Sequence, residues 1–217
     1  MISSMVLVPA DGAALAGDLV VPGPTRSMVL FAHGSGSSRH SPRNRVVAGE
    51  MRRAGLGTLL MDLLTEREER TDAVTETHRF DIPLLTRRLV AAIDWLDEQP
   101  DTEGAPVGLL GAGTGAAAAL CAATERPGRV YAVVSRDGRP DLAGDALERV
   151  RAPVLLVVGG NDTEAVRLHR EAAERVPGPH KVHIVRGATH LFADPEALEQ
   201  TTEAARDWFL SSAVSRA

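Results

Sequence analysis

The chain has 217 residues, 44% of them hydrophobic and 24% charged, with a formal net charge of −5. A single domain of this size buries an ordinary core, and the composition excludes a disordered chain. Lys181 is the only lysine and the arginines are scattered, which argues against nucleic acid as a partner, and one cysteine excludes an intrachain disulfide.

At the N-terminus no basic stretch precedes a long apolar core, and no apolar run reaches the length of a membrane span. The expectation is a soluble, cytoplasmic protein with no membrane partner. Residues 5–8 and 15–21 predict two strands joined by a turn at Asp11-Gly12. Residues 27–32 are a continuous apolar run, the mark of a strand buried on both faces. The glycine- and serine-rich loop from His33 to Arg39 follows, then a helix opened by Ser41-Pro42 that runs to about Ala54 and stops at Gly55. Residues 57–63 predict a second buried strand. Residues 65–77 are densely charged with alternating sign and read as a solvated loop or helix turn. From Ile82 the apolar positions Leu85, Leu89, Ile93 and Leu96 recur every three or four residues, one face of an amphipathic helix with Trp95 at its edge.

The stretch from Ala105 to Cys121 organises the chain. A short apolar run meets Gly111-Ala112-Gly113-Thr114-Gly115 and continues as an alanine-rich helix. This is the outline of a strand, a sharp turn and a helix, the setting of the G-x-S-x-G nucleophile elbow, with Gly113 where that motif carries serine. Cys121, about two turns into the helix, is expected in the core. Strands over 130–135, 153–159 and 181–185 alternate with helices over about 164–175 and 195–210. Buried strands alternating with helices imply one α/β domain with a parallel sheet covered on both faces.

Four polar features fall at strand ends, where ligands bind in an open parallel sheet: the His33 loop, the Gly113 corner, Asp162 and His190. Corner, acid and histidine follow one another in the chain order of an α/β-hydrolase triad. Asp162 also suits the cap of the helix that follows it. Seven histidines show neither H-E-x-x-H nor a Cys/His cluster, so no metal and no cofactor is expected.

In His33 to Arg39, Asp62-Leu63-Leu64-Thr65, residues 111–120, residues 135–142, Gly159-Gly160-Asn161-Asp162 and Gly187 to Phe192, the chain resembles the dienelactone-hydrolase-like group of α/β-hydrolases over nearly its whole length. The resemblance implies a mostly parallel central sheet with helices on both faces and little or no lid. It implies a site with the nucleophile position at Gly113, the acid at Asp162 and the base at His190, with an oxyanion hole from the backbone N–H groups of Ser35 and Thr114. His33, Gly34, Arg39 and Asp137 are candidate substrate-binding residues, and Arg139 is a further candidate for holding a carboxylate. Two departures from the group stand out: Gly113 in place of serine, and Asp137 where a small residue is expected.

The expected partner is a small-molecule substrate, and the chain a monomer or homodimer. Three functions follow. One is an ester or lactone hydrolase whose serine has been replaced. Another is a non-hydrolytic cyclase, lyase or isomerase using His190 and Asp162 as a general base. The third is a binding protein that keeps the cleft without catalysis.

Overall fold

The computed structural model of the chain describes residues 1–23, 25, 27–34, 36–189 and 192–214. The elements in chain order are β1 (Ile2–Ala10), β2 (Ala13–Val21), β3 (Met28–Ala32), α1 (Pro42–Arg53), β4 (Gly57–Met61), α2 (Glu66–Thr75), α3 (Ile82–Glu98), β5 (Val107–Gly113) and α4 (Thr114–Glu125). They continue as β6 (Val130–Gly138), a 3-10 helical segment (Pro140–Arg149), β7 (Val154–Gly159), α5 (Thr163–Arg175), β8 (His180–Val185) and α6 (Pro195–Val214).

The strands form one sheet in the order β1-β2-β4-β3-β5-β6-β7-β8. β1 and β2 are an antiparallel hairpin, and β2 runs antiparallel to β4. From β4 to β8 every neighbouring pair is parallel. Asp11 and Gly12 make the hairpin turn with φ of 50° and 76°, the left-handed pair that a two-residue hairpin requires.

Because side chains alternate along a strand, the buried strands feed two cores. On one face Leu30, Leu59, Leu109, Val133 and Leu156 pack with residues of α3, α4 and α5, such as Leu89, Leu120 and Ala172. On the other, Phe31, Leu60, Leu110, Val134 and Val157 pack with Val47 and Met51 of α1 and Phe209 of α6.

α4 lies hard against the sheet. A Cβ on Gly115 would stand 2.3 Å from the Ala32 carbonyl oxygen, and one on Gly111 would stand 2.4 Å from the Ala116 Cα. Neither neighbour is a flexible side chain, so both positions exclude any larger residue. Ala116 to Ala119 are fully buried, their single methyl groups filling what little depth remains.

Several expectations change. Of the two readings of the charged segment over 65–77, a solvated loop or a helix turn, the structure shows a mostly exposed helix, Glu66–Thr75, anchored on one side. Thr65 Oγ1 accepts from the Glu68 N–H at 3.2 Å while the Glu68 carboxylate accepts from the Thr65 N–H at 2.8 Å, a reciprocal cap. Its inner side is held by Arg88 of α3, which is 2% exposed. Arg88 donates to both Glu68 carboxylate oxygens at 2.8 and 2.7 Å and to the Leu63 carbonyl at 2.6 Å. Charge alternation hid this because one buried partner lies far away in sequence. β6 runs three residues beyond its apolar run, through Arg136-Asp137-Gly138, and the 3-10 segment had no apolar period to announce it. Ser41 stands before α1 but makes no side-chain cap hydrogen bond. Cys121 packs on the first core but is only partly buried. Trp95 is likewise partly buried at the edge of that core, as its helix face suggests.

Two stability measurements test this packing. Gly115→Ala should destabilise by about 1–3 kcal/mol through overpacking, read from the urea midpoint. The Arg88 guanidinium, through its hydrogen bonds, holds the Glu68 carboxyl at about 2, below its ordinary 4.5. A depressed carboxylate stabilises the fold fully above the unfolded value and loses that contribution as pH falls. Glu68→Gln should therefore lose about 1–2 kcal/mol at pH 7, after allowance for solvent screening of a partly exposed pair. The difference from the parent should shrink between pH 4.5 and about 2.

Candidate functional site

The C-terminal ends of β3, β5 and β6 open on a cleft with two adjoining lobes. The smaller, about 290 Å³, is lined by His33, Leu63, Leu64, Glu69, Asp72 and Arg79. The larger, about 750 Å³, takes in Arg43, Asn44, Gly113, Arg136, Asp137 and Phe192. Gly34, Ser37, Ser38 and Thr114 line both, so the Gly113–Thr114 corner and the loop after β3 stand where the lobes meet.

Gly113 ends β5 and begins α4 with φ 54° and ψ −129°. Only glycine reaches this region without strain, and the chain needs it here to swing from an extended strand into a helix within one residue. The corner is tied to the next strand: the Arg139 N–H donates to the Gly113 carbonyl at 3.0 Å, and Gly113 pairs with Gly138. Thr114 is buried as the first residue of α4, where a helix leaves its N–H groups without intrahelical acceptors. α4 has no acidic residue in its first turn, so this end of the cleft carries the positive pole of a helix.

His33 is buried and both ring nitrogens are engaged. Nε2 accepts from the Leu63 N–H at 2.9 Å, and Nδ1 lies 3.0 Å from the Gly34 carbonyl, which can only accept. The ring is therefore neutral with its proton on Nδ1. Burial pushes its pKa below the ordinary 6.5, against opposing contributions from the Gly34 carbonyl and Asp62. Its role is to fix the loop after β3 against the end of β4. Gly34 passes so close to the corner that a Cβ there would lie 2.9 Å from the Ala112 carbonyl oxygen.

Arg39, a candidate for substrate binding, is committed to carboxylates of the fold. Its side chain pairs with Asp62 and lies 3.8 Å from Asp18, and its N–H donates to Asp62 at 2.8 Å. Arg139 lines the larger lobe but donates to both oxygens of Asp141, at 2.9 and 2.7 Å. Asp137 is 8% exposed, lines the same lobe and has φ 49°, an uncommon backbone for a residue with a side chain.

Asp162 caps α5, its carboxylate accepting from the Ala165 N–H at 2.9 Å. The preceding residues clasp the loop after β8. The Gly160 N–H donates to the Val185 carbonyl at 2.9 Å, the Asn161 N–H to the Ala188 carbonyl at 3.0 Å, and the Asn161 Nδ2 to the Gly187 carbonyl at 2.9 Å. His190 and Ser35 lie outside the described residues.

Sequence reasoning missed two contributors. Arg136 sits at the end of β6, 8% exposed, and donates through Nη2 to the Asn44 Oδ1 at 2.6 Å. Burial, reinforced by the Arg43 charge and opposed by Asp137, lowers its pKa to about 10. The guanidinium therefore stays charged at neutral pH. Glu69 of α2, in the smaller lobe, is pushed upward by burial and then by the charges of Asp62 and Glu66. The only sequence signal for Arg136 was its place after a buried strand, which a chain with so many arginines obscures.

This strand order, with a glycine of positive φ at a tight strand-to-helix corner facing a cleft at the strands' C-terminal ends, defines an α/β-hydrolase scaffold. Residues 49–213 match the Dienelactone hydrolase family, and the chain belongs to it. It is similar to the crystal structure of a dienelactone hydrolase from Anabaena variabilis, at 50% identity, a TM-score of 0.94 and 97% coverage of each chain. Est1E from Butyrivibrio proteoclasticus shares the fold at 16% identity and a TM-score of 0.80, covering 97% of this chain and 99% of that one. A Mycobacterium tuberculosis protein with the provisional name phosphoribosyl transferase is 53% identical over 205 residues. That match covers 94% of this chain but 45% of the relative, so the chain spans less than half the length of this curated protein. Among the described residues no helix is long and apolar enough to cross a membrane, and no group of three or more His, Cys, Asp or Glu is placed to hold a metal.

His33 supplies a direct check on the loop that separates the lobes. Nitrogen chemical shifts should report a neutral, Nδ1-protonated ring that persists as pH falls past 6.5. Since its folded pKa is depressed, the stability it contributes is complete above 6.5 and declines below.

Proposed function

We propose that this chain is an ester or lactone hydrolase by descent, acting on a small molecule, in which Gly113 has taken the place of the nucleophilic serine. Asp162 is the acid of the triad and His190 the base, and the backbone N–H groups of Thr114 and Ser35 are the oxyanion donors. The observation that carries this reading is the backbone of Gly113: φ 54° and ψ −129° at the mouth of the cleft, where α4 begins. These are the dihedrals that a nucleophile elbow imposes on its central residue, here reached without strain because the residue is glycine.

The surroundings support the other assignments. The Asp162 loop is clasped to residues 185–188, and in sequence His190 falls between that segment and Phe192, which lines the larger lobe. Positive helix ends suit a developing oxyanion. In an intact triad the histidine takes the hydroxyl proton as the oxygen attacks the acyl carbon, and the aspartate stabilises the imidazolium. Without the hydroxyl no acyl-enzyme forms. What the wild-type chain keeps is a binding cleft, an oxyanion site and a histidine able to act only on water or on a proton of the ligand. The transferase name of the mycobacterial relative belongs to a protein more than twice as long as its matched part.

Gly113→Ser should create hydrolysis of p-nitrophenyl acetate and labelling by a serine-directed phosphonate, both absent from the wild type. Loss of a triad serine costs on the order of 10⁶ in kcat. The new side chain meets backbone strain of about 1–3 kcal/mol. A gain on the order of 10³-fold or more is therefore expected, and His190→Ala in the same background should abolish it. A folded Gly113→Ser chain that neither turns over the ester nor takes the label would end the reading.

A further inference from the structure

The smaller lobe holds a carboxylate that the described residues leave without a partner. Glu69 of α2 is half-buried and lines the lobe, and among the described residues its oxygens make no hydrogen bond or ion pair. Burial pushes its pKa upward, and the charges of Asp62, Glu66 and Asp72 add to the rise against Arg39. A carboxylate partly withdrawn from water, among neighbours mostly of its own sign, gains on meeting a cation.

The cations of the fold near it are committed elsewhere. Arg39 pairs with Asp62 and lies 3.8 Å from Asp18. Arg79, which lines the same lobe, donates from Nε to the Asp72 carboxylate at 2.7 Å, from Nη1 to Glu76 at 3.3 Å and from Nη2 to the Asp72 carbonyl at 3.0 Å. His33 is neutral, with both ring nitrogens engaged. Much of the remaining wall is aliphatic, from Leu63, Leu64, Ala73 and Leu85. Such a wall receives a hydrocarbon stem, and the few polar groups set among it select what the stem carries. The positive pole of α4 reaches the lobe at Thr114, where the two lobes meet. An acyl oxygen is favoured at that corner and a cationic group beside Glu69.

We propose that Glu69 makes the smaller lobe a subsite for a primary alkylammonium group, so that the ligand of this cleft is an ester or lactone carrying an amine on an aliphatic stem. The proposal rests on the hydrolase reading for the ester or lactone and for taking the Gly113 cleft as the place where the ligand sits. Glu69 is then a specificity residue and takes no part in bond making.

The test is calorimetric titration of the wild-type chain with 4-phenylbutylammonium, 4-phenyl-1-butanol and 4-phenylbutanoate, which differ only in the group at the end of the stem. The ammonium compound should bind saturably, at least tenfold more tightly than the alcohol, and the carboxylate should bind most weakly. Glu69→Gln should bring ammonium and alcohol within about twofold of each other while leaving the affinity for the alcohol unchanged. Glu69→Asp, which keeps the charge on a shorter side chain, should retain part of the preference. Glu203→Gln, which removes an exposed carboxylate on α6, should retain all of it. No saturable binding of the ammonium compound, equal binding of ammonium and alcohol by the wild type, or a preference that survives Glu69→Gln would overturn the proposal. 4-Phenylbutylammonium should also inhibit ester hydrolysis by Gly113→Ser competitively. Regained hydrolysis without such inhibition would remove the subsite and leave the hydrolase reading standing, while Glu69-dependent binding without regained hydrolysis would do the reverse.

Discussion

The closeness of α4 to the sheet governs the rest of the molecule. Gly111 and Gly115 leave no room for a Cβ, and the buried alanines that follow add one methyl group each. The helix start is thereby held against the ends of β3 and β5, and Gly113 has a single residue in which to reverse the chain. From that contact follow the positive φ of the corner, the exposure of the helix pole to the cleft and the place where the two lobes join. A larger residue at either glycine would lift the helix and displace all three.

Charge is divided unevenly across the cleft. On the side of the smaller lobe three carboxylates are matched, Glu68 by Arg88, Asp72 by Arg79 and Asp62 by Arg39, while burial and neighbouring carboxylates push Glu69 upward. On the side of the larger lobe, Arg136 leans on a neutral amide and stands near a second arginine. Burial of those three carboxylates is tolerated because each partner is present within the chain. The Gly113 corner lies between these environments, so a ligand spanning both would present different chemistry to each.

Much of this was legible in the sequence. Continuous apolar runs marked the buried strands, three-and-four spacing marked α3, and the Gly-Ala corner marked the turn into α4, because each depends on local pattern alone. The capping role of Asp162 was legible too, and its carboxylate accepts from the Ala165 N–H. What the sequence hid was pairing at a distance. Charge alternation made α2 look solvated, although Glu68 reaches Arg88, twenty residues on. Arg39 looked free for a ligand because Asp62, its partner, lies on another strand end. Arg136 was one arginine among many until β6 was seen to carry it past the apolar run into the cleft wall.

The double duty of Glu68 bears on motion. The same carboxylate closes the cap at the start of α2 and neutralises Arg88 in the interior, while Arg88 also holds the Leu63 carbonyl and the Leu63 N–H holds His33. Fraying the first turn of α2 would strand a buried cation, so that turn cannot loosen by itself. Through these bonds the start of α2, Leu63 after β4 and His33 are linked in one hydrogen-bonded chain. One side chain is thus shared between a local and a tertiary bond, which ties the rim of the smaller lobe to the interior.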